Sequence, residues 1–160
     1  MRHTLSVTVE NEPGVLSRVS GLFSGRGFNI ESLNVGPTLD PGVSVMTITT
    51  EGDEQIIEQI VKQLRKLITV IKVVDLTELK SVLREMVLLK INANDTNRAE
   101  ILRIVDIFRC KVVDVSIDEL TIEAAGNYDK ISALLGLLTR FGIKEIARSG
   151  LVALKRSVQA

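Results

Sequence analysis

An internal repeat is the feature that most constrains the fold of this chain. Moving each residue forward by 82 positions places Ile30 on Val112, Leu33 on Val115 and Val35 on Ile117. In both halves the alternation of apolar and polar residues changes phase at the same point, just before Leu33 and its counterpart. A shared pattern with a shared irregularity is typical of a tandem duplication. The chain should therefore fold as two copies of one unit.

The first copy has the pattern of a βαββαβ unit. Alternating apolar residues over Leu5–Val9 predict a strand, and apolar residues at helical spacing over Val15–Phe23 predict a helix. Pro13 suits the first helical position, where its missing N–H costs nothing. Asp53 is suited to cap the second helix. The remaining strands are predicted at Phe28–Val35 with a bulge near 31–32, at Val43–Thr50 and at Val70–Leu76.

The second copy repeats this order. Its helices are predicted to begin after Thr96 or Asn97 and at Asn127. Strands are predicted at Met86–Ile91, Cys110–Ile117 and Glu119–Ala125, with one or two closing strands within Ile143–Leu154. We expect an α+β protein made of two tandem ferredoxin-like domains, an N-terminal domain over 1–77 and a C-terminal domain over 82–157, with a linker at 78–81.

Composition excludes several classes of function. Lysine plus arginine and aspartate plus glutamate each total 20, so no charge excess favours nucleic acid or an acidic membrane. A single cysteine and a single histidine exclude an internal disulfide and a zinc site built from several cysteines. No apolar run reaches the roughly 18 residues of a membrane span, and the first residues are not typical of a signal peptide. With zero net charge, open sheet edges and 45% hydrophobic residues, the chain is expected to form a homodimer.

One strand-to-helix turn carries residues that suit a small ligand. Gly14 lets another molecule approach the backbone at a helix N-terminus, where N–H groups and the helix dipole favour a carboxylate. Asn11 and Asn29 add side-chain amides, and Val15, Leu16 and Ile30 could hold a small apolar group. The set would suit an amino acid, but the same residues also make an ordinary turn and cap. From the residues alone, the turn is the simpler interpretation.

No catalytic set is found beside it. Cys110 is expected to be a buried strand thiol, since no second histidine is present to activate it. Glu10, Glu12 and Glu31 are expected to be solvated, and His3 to be a residue at the start of a strand. No metal ligands and no catalytic residues are predicted.

The stretch Asn11–Leu16 with Gly21–Phe23 resembles the ACT domain, a βαββαβ module that binds small amino acids. The run Arg26–Leu33 is more specific and resembles the small regulatory subunit of acetolactate synthase. Several stretches of the second half are similar to that family's C-terminal domain, among them Val105–Arg109, Leu120–Glu123 and Lys144–Gly150. The sequence around Phe141–Glu145 is most similar to that of cyanobacterial and plastid members of the family.

The resemblance implies a function. The chain would activate a catalytic large subunit, which carries thiamine diphosphate, Mg²⁺ and FAD and converts two pyruvates to 2-acetolactate and CO₂. It would hold no cofactor itself, and would confer feedback inhibition by valine or a related branched-chain amino acid. In this family the effector lies between the N-terminal domains of two subunits, so the resemblance assigns Asn11, Gly14, Asn29, Val15, Leu16 and Ile30 to the site. Pro13 and Leu83 depart from the usual residues.

Two other uses of the fold remain open. A free-standing ACT sensor of amino acids with a different partner would share the same motifs. An RNA-binding module or a small acylphosphatase-like enzyme would need exposed aromatic residues or a catalytic set, and neither is found. The expected location is the bacterial cytoplasm, or the plastid stroma if the gene is organellar.

Overall fold

A computed structural model describes residues 1–157. By its internal contacts the chain divides into two compact units. The first comprises residues 1–82 together with residues 151–157, and the second comprises Leu83–Gly150. The predicted boundaries, with a linker at 78–81, stay a prediction, because compactness does not by itself define where a functional domain ends.

The first unit has the predicted βαββαβ order. Its elements are β1 (Arg2–Glu10), α1 (Val15–Gly25), β2 (Ile30–Pro37), β3 (Val43–Glu51), α2 (Glu54–Lys66) and β4 (Val70–Asp75). The strands form an antiparallel sheet in the order β2-β3-β1-β4, so β2 and β4 are its edges. Leu5, Val7 and Val9 of β1 are buried with the apolar faces of both helices. The period-two pattern therefore places one face of the sheet against the helices, as predicted.

The two helices of this unit begin differently. Asp53 Oδ1 accepts a hydrogen bond of 2.7 Å from Gln55 N, which confirms the predicted cap of α2. Helix α1 begins at Val15, with Gly14 before it at φ 85°. The prediction that Pro13 occupies the first helical position is wrong. The left-handed conformation of Gly14 interrupts the helical path, so the helix can begin only after it.

The second unit repeats the same order. Its elements are β5 (Ser81–Asn92), α3 (Arg98–Ile107), β6 (Lys111–Val115), β7 (Glu119–Gly126), α4 (Tyr128–Leu138), a 3₁₀ turn (Thr139–Phe141) and β8 (Ile143–Arg148). A last strand, β9 (Val152–Lys155), belongs to the segment that groups with the first unit. The strand order is β6-β7-β5-β8, and β9 also pairs with β5. Asn127 precedes α4 and caps it by accepting a hydrogen bond of 2.9 Å from Lys130 N. Asn97 occupies the capping position before α3, as predicted, but its side chain makes no capping bond and accepts from Asn94 N at 2.9 Å instead.

The irregularity shared by the two halves is a β-bulge. The pairing of β2 with β3 shifts register between Ile30 and Ser32, and the pairing of β6 with β7 shifts between Val112 and Asp114. Each bulge turns the following side chains to the opposite face, which explains the change of phase in the sequence. The α+β class and the tandem repeat are confirmed. None of the helices within residues 1–157 is long and apolar enough to cross a membrane.

Candidate functional site

The turn between β1 and α1 is held at a fixed position by Asn11. Its backbone N–H donates to Gly42 O at 2.8 Å, and its side-chain Nδ2 donates to Pro41 O at 3.0 Å. Both acceptors belong to the turn between β2 and β3, so one residue joins the two turns. The Asn11 amide oxygen is the side-chain atom that remains to accept from a ligand ammonium.

Gly14 is the residue that directly precedes helix α1. It has φ 85° and ψ −8°, a left-handed conformation that favours glycine, and its carbonyl accepts from Arg18 N at 3.1 Å. A Cβ built on Gly14 would meet none of the described residues' atoms within 4 Å. The first turn, Val15–Arg18, contains no carboxylate. Its backbone N–H groups and the positive end of the helix dipole are therefore not neutralised by an acidic side chain of that turn, which favours an external carboxylate.

The apolar members of the predicted site have different roles. Val15 is buried in the core of the first unit, so its side chain holds the helix in place instead of lining a ligand surface. Leu16 is 45% exposed beside the same turn. Of the two, only Leu16 offers an accessible apolar surface next to Gly14.

Asn29 and Ile30 lie at the other end of the sheet. Ile30 pairs with Thr50, which also pairs with His3, whereas Glu10 beside the Asn11 turn pairs with Val43. Val43 and Thr50 are seven positions apart along β3, a distance of about 23 Å for an extended strand. Within one chain, the structure brings Asn11, Gly14 and Leu16 together and leaves Asn29 apart. A site that uses both Gly14 and Asn29 requires two chains.

The corresponding turn of the second unit is held in place by the side chain of Arg98. Ala93 N donates to Asp118 O at 2.7 Å, as Asn11 N does to Gly42 O in the first unit. Nη2 of Arg98 then donates to Ala93 O, Ser116 O and Ile117 O at 2.9, 2.6 and 2.7 Å. Sequence analysis missed this arginine, although its position directly after the predicted cap Asn97 was a signal. The guanidinium occupies carbonyl groups of this turn. The first turn of α3 contains the carboxylate of Glu100, whereas the first turn of α1 contains none, so the N-terminus of α1 is the more open of the two to an external carboxylate.

The other residues considered in the sequence, Cys110, His3 and Glu31, make contacts that are typical of structural residues. The expectation of a buried strand thiol is wrong for Cys110, which lies just before β6 and is only half-buried. This partial burial still raises the pKa of the thiol, which disfavours the reactive thiolate. His3 is buried, with Nε2 at 3.2 Å from Gly52 O, and Glu31 forms an ion pair with Arg2 at 3.0 Å. Within residues 1–157, no cluster of three or more His, Cys, Asp or Glu side chains could hold a metal ion.

Two βαββαβ units, one of them with an open helix N-terminus, define a protein of the tandem ACT type. A family model for the "AHAS small subunit-like ACT domain" matches residues 5–72, and one described as "Small subunit of acetolactate synthase" matches residues 84–157. The two matches cover most of the chain and fall on successive copies of the repeat. This chain belongs to the acetolactate synthase small subunit family.

Individual relatives are similar to this chain along almost its whole length. The chain is 53% identical over 156 residues to a probable acetolactate synthase small subunit of Archaeoglobus fulgidus, with 98% of each chain covered. It is 54% identical over 154 residues to the acetolactate synthase small subunit of Mycolicibacterium smegmatis, covering 96% of this chain and 91% of that one. The crystal structure of the small subunit from Thermotoga maritima has a TM-score of 0.88 at 42% identity, covering 99% of both chains.

Proposed function

We propose that this chain is the regulatory subunit of an acetolactate synthase. It binds the catalytic large subunit, raises the rate at which two pyruvates become 2-acetolactate and CO₂, and makes that rate sensitive to valine or a related branched-chain amino acid. The observation that carries the effector role is the helix N-terminus at Gly14. It combines a glycine without neighbours at its Cβ position, a first turn without a carboxylate and the fixed amide of Asn11.

The reaction itself belongs to the large subunit in this proposal. Thiamine diphosphate, Mg²⁺ and FAD are assigned to that subunit, and this chain holds no cofactor. The chain contributes binding energy that differs between two activity states of the complex. Such coupling between an effector and a distant active site is typically about 1–3 kcal/mol. The proposed location is the bacterial cytoplasm or a plastid stroma, and the similarity of Phe141–Glu145 to cyanobacterial and plastid members stays a prediction.

A homodimer would complete the effector site. β2 is an edge strand of the first sheet, so a second copy can add its own β2 alongside. If the two strands pair antiparallel about a two-fold axis, the beginning of one β2 lies beside the end of the other. The end, Pro37, leads into the turn that Asn11 holds. Asn29 of the second copy would then approach Gly14 of the first, which is what a shared site needs.

In this arrangement each group has a defined role. The effector's carboxylate would accept from the N–H groups of the first turn of α1 at Gly14. Its ammonium would donate to side-chain oxygens of Asn11 and of Asn29 from the second copy. Leu16 would contact its apolar side chain, with Ile30 supporting the position of Asn29 from the core.

Reconstitution tests this function directly. The purified chain is mixed with the catalytic large subunit of the same source, and acetolactate formation is measured with and without valine. We expect little or no activity from the chain alone, a higher rate from the mixture than from the large subunit alone, and inhibition by valine. A rate that the chain does not change would contradict the proposal.

The alternative is an ACT sensor of amino acids that regulates another partner. It uses the same Gly14 turn, so the partner alone separates the two proposals. Affinity capture from the source cell, followed by mass spectrometry, should recover a thiamine diphosphate enzyme. Recovery of a different protein with valine-dependent binding would favour the alternative.

A further inference from the structure

The backbone of Asn29 is held by a side chain that faces the core of the first unit. Thr50 Oγ1 donates a hydrogen bond of 2.5 Å to Asn29 O. Thr50 is completely buried, whereas Asn29 is exposed and lies directly before β2. The pairing of β2 with β3 begins at Ile30 and therefore does not include Asn29. The Thr50 hydroxyl thus ties a residue outside the sheet to an internal strand of the sheet.

The residues on either side of Asn29 are also fixed. Phe28 packs against the core of the unit, and its ring lies so close to Gly52 that a Cβ at position 52 would overlap it. Ile30 pairs with Thr50 in the sheet. With both neighbours held, the bond from Thr50 fixes the peptide group that follows Asn29. The side chain of Asn29 therefore starts from a defined backbone position.

Thr50 is a polar residue in an apolar row. Side chains two positions apart on a strand share a face, and Met46 and Ile48 precede Thr50 in the core-facing row of β3. A buried hydroxyl costs free energy unless it is hydrogen-bonded, and here its partner is a carbonyl group of the candidate site. Valine has nearly the same shape without the hydroxyl, so packing alone does not account for a threonine here.

The second unit lacks this hydroxyl. Lys111 is the counterpart of Asn29, 82 positions later. Val112, the counterpart of Ile30, pairs with Ile122, a buried residue whose side chain cannot donate a hydrogen bond. The threonine is therefore found in the copy that has the asparagine. This links it to the candidate effector site and not to the fold that both copies share.

We infer that Thr50 is a positioning residue of the effector site and acts through Asn29. The inference deepens the proposed function and rests on it. If the backbone of Asn29 were free to move, its amide would have to be ordered when the effector binds, which costs affinity. The bond from Thr50 supplies that order in advance. Thr50 itself is buried and does not contact the effector.

The test removes the hydroxyl while nearly keeping the shape of the side chain. Thr50→Val does this, and Thr50→Ser keeps the hydroxyl. Thr49→Val is the matched control, because Thr49 Oγ1 is buried on the other face of the same strand and has no hydrogen-bond partner among the described residues. Asn29→Ala and the double variant Thr50→Val/Asn29→Ala complete the set. Valine binding to each full-length chain is measured by calorimetry, and folding by circular dichroism.

We expect Thr50→Val to weaken valine binding about tenfold, which is the scale of one well-placed hydrogen bond. Thr50→Ser and Thr49→Val should bind valine as the wild type does. The double variant should bind no more weakly than Asn29→Ala, because a residue that acts only through Asn29 has no further effect once that amide is gone.

Wild-type affinity in Thr50→Val would overturn the inference, and so would an equal loss in Thr49→Val or in Thr50→Ser. A double variant whose loss is the product of the two single losses would show that Thr50 acts independently of Asn29, contrary to the inference. A Thr50→Val chain that does not fold would assign the hydroxyl to the stability of the sheet and would also overturn it. Wild-type affinity in Asn29→Ala would refute the proposed effector site itself, and the inference with it.

Discussion

Gly14 combines two properties at the N-terminus of α1. Its backbone is left-handed, which glycine adopts without strain, and the space where a side chain would stand is empty of the described residues' atoms. The first property explains the turn, and the second leaves room for a ligand.

A negative charge at Gly14 should abolish the effector response without unfolding the protein. Gly14→Asp adds a carboxylate where the effector's carboxylate is proposed to bind, and aspartate tolerates left-handed backbone better than most residues. We expect holoenzyme rebuilt with this variant to be activated but to resist valine.

Asn29→Ala should weaken valine binding by about 1–3 kcal/mol through a lost hydrogen bond.

Two controls accompany this valine titration. Gly14→Ala introduces backbone strain without charge, and Asn97→Asp adds charge at the corresponding turn of the second unit, so the latter should leave inhibition intact. Circular dichroism confirms folding. If folded Gly14→Asp is inhibited like the wild type, the effector does not bind at this turn; if Asn97→Asp alone loses inhibition, the site is in the second unit.

Cys110 should behave as a half-buried, unreactive thiol. Burial raises its pKa, so at a given pH less thiolate is present than in the unfolded chain, and its Sγ lies 3.6 Å from Phe108 O. We expect slower alkylation by iodoacetamide in the native protein than in urea, with a rate that rises at higher pH in the native state. Faster alkylation in the native protein would indicate an activated cysteine, contrary to this account.

At the scale of the elements, sequence reasoning succeeded where the signal is local. The caps Asp53 and Asn127 and the two bulges follow from residue type and periodicity, and all are observed. Pro13 was misplaced because proline suits both a first helical position and the turn before it. The left-handed backbone of Gly14, which decides between them, depends on the whole turn.

Long-range contacts account for the features that the sequence did not reveal. The separation of Gly14 from Asn29 depends on strand register, which no single motif contains. Arg98 bonds to Ser116 O and Ile117 O, residues 18 and 19 positions away. The sequence shows an arginine next to a cap but does not show which carbonyl groups it meets. For the same reason, the six assigned site residues stay a prediction as a set.

Removing the Arg98 guanidinium should loosen the second unit. Its three hydrogen bonds to carbonyl groups join the turn before α3 to the turn between β6 and β7. We expect Arg98→Ala to lower the free energy of unfolding by about 2 kcal/mol, because charged donors contribute more than neutral ones. Urea denaturation measures this, with Arg103→Ala on the exposed side of the same helix as the control. Equal stabilities of the two variants would show that the three bonds contribute nothing.

At the scale of the whole molecule, zero net charge and open sheet edges favour self-association. We expect the isolated chain to sediment as a homodimer at micromolar concentration. Val35→Lys on the edge strand β2 should weaken the dimer, since edge lysines oppose strand pairing. Ile71→Lys on the other edge strand, β4, should not. A dimer lost only in Ile71→Lys would mean that the copies join through β4, which would leave Asn29 far from Gly14.

We propose that one effector site is shared by two chains, with Gly14 from one and Asn29 from the other. Gly14→Asp chains, which are expected not to bind valine, and Asn29→Ala chains, which are expected to bind it about 1–3 kcal/mol more weakly, are unfolded together, refolded at equal concentrations and titrated with valine by calorimetry. Half of the dimers should then contain one chain of each variant. A symmetric dimer has two sites, and in a mixed dimer one of the two has both native residues. About a quarter of the wild-type number of sites should therefore return with wild-type affinity. A mixture that binds no more valine than the separate variants would contradict the shared site.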